Sequence, residues 1–225
     1  MALTLYYHPL ASFCHKVLIA LYENETPFRP QIIDLLDEEV RAKYLEIWPV
    51  GKMPVLLDDS SGRAIPETTI IIEYLEQHYP RSQQLLPTAP DECLEARLWD
   101  RFFDLYVQTP LQKIVIDRLR KDGEHDPTGV EDAKRMLATA YDTIERQLAG
   151  KTWAIGETFS IADCAAAPAL FYAGIVAPFA ETHPNTASYF ERLLERPSFQ
   201  RVLAEAKPYF HMFPFMEKMP ARFLA

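Results

Sequence analysis

Residues Gly51 to Glu76 read GKMPVLLDDSSGRAIPETTIIIEYLE, and this stretch decides the fold. Val55 to Leu57 is a short apolar strand entered through Met53-Pro54, and Asp58, Asp59, Ser60, Ser61 and Gly62 make a turn. A second short strand follows over Arg63 to Ile65, and then a helix opens at Pro66-Glu67-Thr68. Pro54 stands where the strand begins, a place that tolerates the missing N–H of proline and suits a cis peptide. Glu67 and Thr68 stand at a helix N-terminus, where free N–H groups, a hydroxyl and a carboxylate together can grip the carboxylate and ammonium of an amino acid.

Gly51-Lys52-Met53-Pro54-Val55, followed a dozen residues later by Pro66-Glu67-Thr68, resembles the glutathione-binding half of the cytosolic glutathione S-transferases. That family has a cis-proline strand entry and then an acidic residue followed by serine; Thr68 departs from the serine but keeps the hydroxyl. The resemblance implies that the backbone of Met53 pairs with the cysteinyl part of glutathione just before Pro54. It further implies that Glu67 and Thr68 hold the γ-glutamyl end through charge-assisted bonds, and that Lys52 meets the glycyl carboxylate.

Upstream of this stretch, Leu3 to Tyr7 is rich in β formers and ends at His8-Pro9, which predicts a buried first strand. Phe13, Val17, Ala20 and Leu21 recur at helical spacing, making Ser12 the expected N-cap of the first helix. Phe28 to Asp34 is a second strand, near an edge because of Pro30, and Asp37 to Glu46 is a short polar helix. In the third helix, Glu67 to Tyr79, residues Ile70, Ile71, Tyr74, Leu75 and His78 are expected to face inward. The element order βαβαββα comes from periodicity; the thioredoxin-like fold it matches comes with the resemblance.

Downstream, PRSQQLLPTAP over 80–90 punctuates the chain, and strand signals then stop. The expected organisation is a thioredoxin-like glutathione-binding domain over 1–80, a linker over 81–90 and an all-helical domain over 91–225. Asp91 to about Lys121 is one long helical pattern interrupted at Pro110, and Val130 to Leu148 is a second. Ser160-Ile161-Ala162-Asp163 is a capping box opening an alanine-rich helix, and two more helices follow over about Thr186 to Glu195 and Ser198 to Ala206. The tail from Tyr209 to Phe223 carries enough apolar side chains that it must cover something, either the helical core or the substrate pocket. Arg97, Asp100, Arg101 and Asp104 put mixed charge on one face of the long helix, as a solvated surface or a subunit contact.

Composition narrows the function. A net charge of −9 argues against nucleic acid, which wants clustered Lys and Arg. No run approaches a membrane span, and MALTLYYHPLAS lacks the basic cap and apolar core of a signal peptide. Three widely spaced cysteines suggest no disulfide framework and a reducing cytoplasm, and no metal-binding motif occurs among the histidines.

Conjugation chemistry needs a thiolate, and lowering a thiol pKa by two units takes about 2.7 kcal/mol of preferential anion stabilisation. A hydroxyl at a helix N-terminus supplies a charge-assisted hydrogen bond in line with the helix dipole. The segment from Tyr6 to Val17 resembles the first strand and loop of serine-type transferases, and Ser12 falls on the matching position, although Phe13 stands where the family more often has proline. Helix capping alone would also place a serine there. Cys14, in the first turn with Lys16 nearby, is the alternative: facing the glutathione sulfur, it would make the protein a thiol oxidoreductase. Tyr6 and Tyr7 are expected to pack in the strand.

The resemblance implies a homodimeric detoxifying transferase with glutathione as co-substrate and a small hydrophobic electrophile as second substrate, and no metal. The electrophile pocket is expected between the domains, against Leu10 and Phe103 to Val107. An isomerase using glutathione as a true cofactor and a binding protein without turnover are the other functions open to such a chain.

Overall fold

The computed structural model describes residues 2–81 and 83–224; residue 82, inside the expected linker, lies outside them. The first half comprises β1 (Leu3–Tyr7), α1 (Ser12–Glu23), β2 (Arg29–Ile32), α2 (Glu38–Ile47), β3 (Val55–Asp58), β4 (Arg63–Pro66) and α3 (Thr68–His78). The strands form one mixed sheet in the order β2-β1-β3-β4. β1 runs parallel to β2 and antiparallel to β3, and β3 and β4 make an antiparallel hairpin. This is the thioredoxin-like arrangement, with Pro30 on an edge strand where a missing donor does least harm. The hairpin turn is fastened by buried Asp58, whose carboxylate accepts from Ser60 N–H (2.8 Å) and from the Tyr74 hydroxyl (2.6 Å).

The second half is all helical: α4 (Pro90–Phe102), a π-helical segment (Phe103–Gln108), α5 (Thr109–Arg118), α6 (Pro127–Gln147), α7 (Ile161–Val176), α8 (Pro184–Leu194) and α9 (Pro197–Ala206). Short 3₁₀ segments follow over Lys207–Met212, Met216–Lys218 and Ala221–Phe223. Four of these helices start on proline, whose fixed φ suits the first helical position and whose absent N–H is not missed there. Ser160 and Asp163 form the expected capping box at α7. Asp163 also accepts from Ala154 N–H (2.9 Å) and the Tyr189 hydroxyl (2.6 Å), which ties α7 to α8.

α1 joins the halves. Nearly every residue from Cys14 to Leu21 is buried, the signature of a helix enclosed on all sides. It packs on β-domain helix α3 and, across the domain boundary, on α7 and α9.

Three sequence expectations need correction. In α3 the inward set is Thr68, Ile71, Ile72 and Leu75, one helical stripe, with Tyr74 beside it; Ile70 is 54% exposed and His78 also lies outside. Ser12 is not the N-cap of α1: Ala11 takes that position, and Ser12 is the first helical residue. The long helix is not simply broken at Pro110. It first winds into a π turn, with Asp104 C=O accepting from Thr109 N–H and from the Thr109 hydroxyl (2.9 Å). Pro110 has no N–H for the Tyr106 carbonyl, so an ordinary α-helical turn could not continue there.

Candidate functional site

A cavity of about 830 Å³ opens between the two halves, a size suited to a small-molecule site. Its β-domain wall brings together Ser12, Lys52, Met53, Pro54, Glu67 and Thr68, all of the residues expected to bind glutathione except the alternative, Cys14.

The peptide before Pro54 is cis, and the loop leading to it is pinned by the buried Tyr44, whose hydroxyl donates to Lys52 C=O at 2.7 Å. Glu67 occupies the N-cap of α3 with φ 71° and ψ 122°, a backbone conformation disfavoured for a residue with a Cβ. Such strain, of about 1–3 kcal/mol, persists where neighbouring structure imposes it and is concentrated at functional positions. Here it sets Thr68 and the first N–H groups of α3 against the cavity. Thr68 is buried and Glu67 exposed, so the hydroxyl lies deep and the carboxylate at the mouth.

Ser12 lies 8% exposed on the same wall, and its hydroxyl has no hydrogen-bond partner among the described residues. The hydroxyl is thus free for a ligand. The loop that delivers it is held from three sides. Ala11 N–H donates to His8 C=O (3.0 Å), His15 Nε2 donates to Pro9 C=O (2.5 Å), and the Tyr172 hydroxyl donates to Leu10 C=O (2.9 Å). A carbonyl only accepts, so His15 carries its proton on Nε2; burial pushes its pKa down to about 4 and keeps the ring neutral. Tyr172 reaches across from α7, a contact that nothing in the local sequence announces.

Cys14 does not fit the alternative role. It is fully buried, does not line the cavity, and burial pushes its thiol up to about 12. A reactive cysteine needs access and a stabilised thiolate, and this one has neither.

Of the charged residues on the long helix, Arg97 and Arg101 are exposed, whereas Asp100 and Asp104 are buried and form neither a solvated face nor a subunit contact. Lys16, buried in α1 one turn below Ser12, pairs with Asp100 at 2.6 Å and Asp104 at 2.7 Å. Thr69 accepts from Lys16 (3.1 Å) and donates to Asp100 (2.7 Å). Burial opposes the charge on Lys16, yet the Asp104 and Asp100 carboxylates outweigh it and hold the ammonium above its ordinary value. Burial pushes the Asp104 carboxyl up to about 6 against the pull of Lys16. The cluster thereby locks α1, α3 and the π-helical segment, three elements that supply cavity residues. Two signals were legible in the sequence: a lysine inside an apolar helix, and two aspartates four residues apart that repel unless a cation bridges them.

The helical wall differs in detail from expectation. Asp104 and Leu105 line the cavity, whereas Phe103 and Val107 are buried in the core. Gln108, Gln112 and Val115 continue that wall down the helix. The tail serves both of its expected uses: Phe210, Phe215 and Met219 are buried in the helical core, while Met212, Phe213 and Pro214 close one side of the cavity. Among the described residues, no group of three or more His, Cys, Asp or Glu is arranged to hold a metal ion, and no helix is long and apolar enough to cross a membrane.

Residues 5–83 match the model of the glutathione S-transferase N-terminal domain, and residues 102–197 that of its C-terminal domain. A probable maleylacetoacetate isomerase of Caenorhabditis elegans is 30% identical over 198 residues, covering 87% of this chain and 90% of its own. A glutathione S-transferase of Methylobacterium radiotolerans, solved with glutathione sulfonate, is 28% identical with a TM-score of 0.76, covering 89% of this chain and 93% of its own. One from Methylobacillus flagellatus, solved with glutathione, shares the fold with a TM-score of 0.82 at 23% identity, covering 89% of this chain and 98% of that one. With both domain models matched in order and a relative that extends over most of its length, this chain belongs to the glutathione S-transferase family.

Proposed function

We propose that the protein is a serine-type glutathione transferase in which Ser12 donates its hydroxyl hydrogen to the glutathione sulfur and holds it as thiolate. Glutathione lies along the β-domain wall, its cysteinyl part on the Met53 backbone ahead of Pro54, its γ-glutamyl end on Glu67 and Thr68, and its glycyl carboxylate toward Lys52. A small hydrophobic electrophile enters between Leu10, the helical wall and the tail. The observation that carries this reading is the Ser12 hydroxyl: unspent on capping, at a helix N-terminus, on the same cavity wall as Glu67 and Thr68.

The test is a pair of substitutions. Ser12→Ala should lower kcat for conjugation of a model electrophile by about 10²-fold, as expected for the loss of one anion-stabilising donor, with glutathione affinity changed only a few-fold. Cys14→Ala should be mild. A damaging Cys14→Ala together with a silent Ser12→Ala refutes the assignment.

Isomerisation is the second function that a particular observation favours, namely the 30% identity to the probable isomerase. Thiolate addition to a conjugated double bond followed by elimination would use the same Ser12 and the same glutathione wall. We further propose a cytoplasmic homodimer with a detoxifying role. Leu94 and Leu98 are 67% and 60% exposed one turn apart on α4, an apolar face that a second copy would cover.

A further inference from the structure

The two helices that face the large cavity have second ends. α1 and α3 pack on each other with both N-termini at that cavity, where Ser12, Glu67 and Thr68 lie. At 12 and 11 residues they run about 18 and 16 Å, which carries their C-termini to a separate region of the molecule. A second cavity, of about 200 Å³, opens there. Both C-cap residues, Asn24 of α1 and Tyr79 of α3, line it together with Thr26 and Glu76.

The polar groups of this cavity are acceptors, because the donors beside them are spent. Asn24, Glu25 and Thr26 N–H donate back to Ala20 C=O (3.2 Å), Tyr22 C=O (3.2 Å) and Leu21 C=O (2.9 Å), and Tyr79 N–H donates to Leu75 C=O (2.8 Å). Pro80, next in the chain, has no N–H. What remains is the partial negative charge of two converging helix C-termini. To this Glu76 adds a carboxylate: its Oε1 accepts from Leu85 and Leu86 N–H, and its Oε2 has no partner among the described residues. Burial pushes its carboxyl above the ordinary value, and no basic side chain acts against that rise. Asn24 Oδ1 is buried with no hydrogen-bond partner, an acceptor that only a donor can complete. Arg81 is the one basic residue of the lining, and it is exposed. Buried Ala20, Ile72, Leu75 and Leu85 make the remaining surface apolar.

We infer that this second cavity binds a small primary alkylammonium ion, with its charged head on Glu76 and Asn24 at the two helix C-termini and its alkyl chain on the apolar side. An ammonium carries three N–H donors and no acceptor, which suits a carboxylate, an amide oxygen and the Thr26 hydroxyl. Size sets the length of the chain. A water takes up about 30 Å³ in the liquid, so the cavity has room for about six non-hydrogen atoms. A calcium-type ion takes about six to eight oxygen ligands and would find a single carboxylate in this lining. The same pair of helices thus offers its positive ends to an anion in the large cavity and its negative ends to a cation in the small one. The cation site does not depend on the reaction carried out in the large cavity.

The probe is n-butylammonium chloride, followed by ligand-observed NMR with the full-length protein. Wild type should bind it saturably with a Kd of about 1 mM, the strength that five non-hydrogen atoms of intermediate efficiency give. Butan-1-ol has the same chain and no charge, and should bind at least roughly tenfold more weakly, since a hydrogen bond to a charged group is worth that factor. Glu76→Gln keeps an acceptor for Leu85 and Leu86 N–H but removes the charge, and should weaken butylammonium binding by a similar factor. Excess glutathione should leave the bound butylammonium in place. Absence of saturable binding, equal affinity for butan-1-ol, an unaltered Glu76→Gln protein or displacement by glutathione would each overturn the inference. The two-probe comparison and the glutathione competition use wild type alone, so they decide the matter even where Glu76→Gln fails to fold.

Discussion

Lys16→Met tests whether the buried charge cluster holds the two halves in register. The ammonium it removes lies within 2.7 Å of both Asp100 and Asp104, with side-chain exposures of 1%, 0% and 11% for the three residues. Methionine fills much of the same volume but leaves two carboxylates facing each other without a cation. Breaking a buried pair from one side costs about 3–5 kcal/mol, and for a chain of this size each kcal/mol shifts Tm by about 2–4 °C, so the expected loss is roughly 10 °C.

The pH dependence carries a sign. Burial raises the Asp104 carboxyl from 3.8 to about 6, so Asp104 binds its proton more readily in the folded state. The stability this contributes is fully present below the unfolded value near 4 and is lost as pH rises through 6. Removing Lys16 withdraws the main charge opposing that rise, so the deficit of the variant should be larger at pH 8 than at pH 5. Urea unfolding followed by circular dichroism at both pH values measures it. The triple variant K16M/D100N/D104N, which removes all three charges, should recover most of the loss. A Lys16→Met protein within 1 kcal/mol of wild type at pH 8 would refute the claim that this pairing holds α1 to the helical domain.

Glu67→Gly should separate stability from binding. Glycine accepts the φ of 71° without strain, so unfolding free energy should rise by about 1 kcal/mol while calorimetric affinity for glutathione falls tenfold or more; parallel changes would contradict the strained-site argument. Tyr172→Phe removes only the hydroxyl that pins Leu10 C=O. It should lower kcat several-fold and raise the pKa of bound glutathione, read from thiolate absorbance, while KM for glutathione stays near wild type. An unshifted thiolate pKa would show that Tyr172 is packing alone.

Much of the fold was legible because local chemistry is strong in the first half. The strand Leu3–Tyr7, the Met53-Pro54 entry and the Pro66-Glu67-Thr68 helix start each combine a period with a punctuating residue, and such signals act within a few residues along the chain. Helix starts in the second half read less well, late by three residues at Pro127, two at Pro184 and one at Pro197, because each of these prolines is itself the first helical residue. The inward face of α3 was misphased for a related reason: five apolar or aromatic positions admit more than one stripe, and only packing against α1 and the sheet selects Ile72 over Ile70.

What the amino-acid order determined by itself was the kind of site: a cavity wall carrying Ser12, Lys52, Met53, Pro54, Glu67 and Thr68, since those residues lie at element ends that their own neighbours define. The tertiary structure decided the state of each group. It freed the Ser12 hydroxyl from capping, buried Cys14 until its thiol is inert, and turned a stretch of surface-like charge into an enclosed Lys16–Asp100–Asp104 cluster. Those outcomes depend on α4, the π-helical segment and α7 meeting α1 across more than fifty residues of chain. Burial and charge pairing are properties of the space between elements, and no local pattern encodes them.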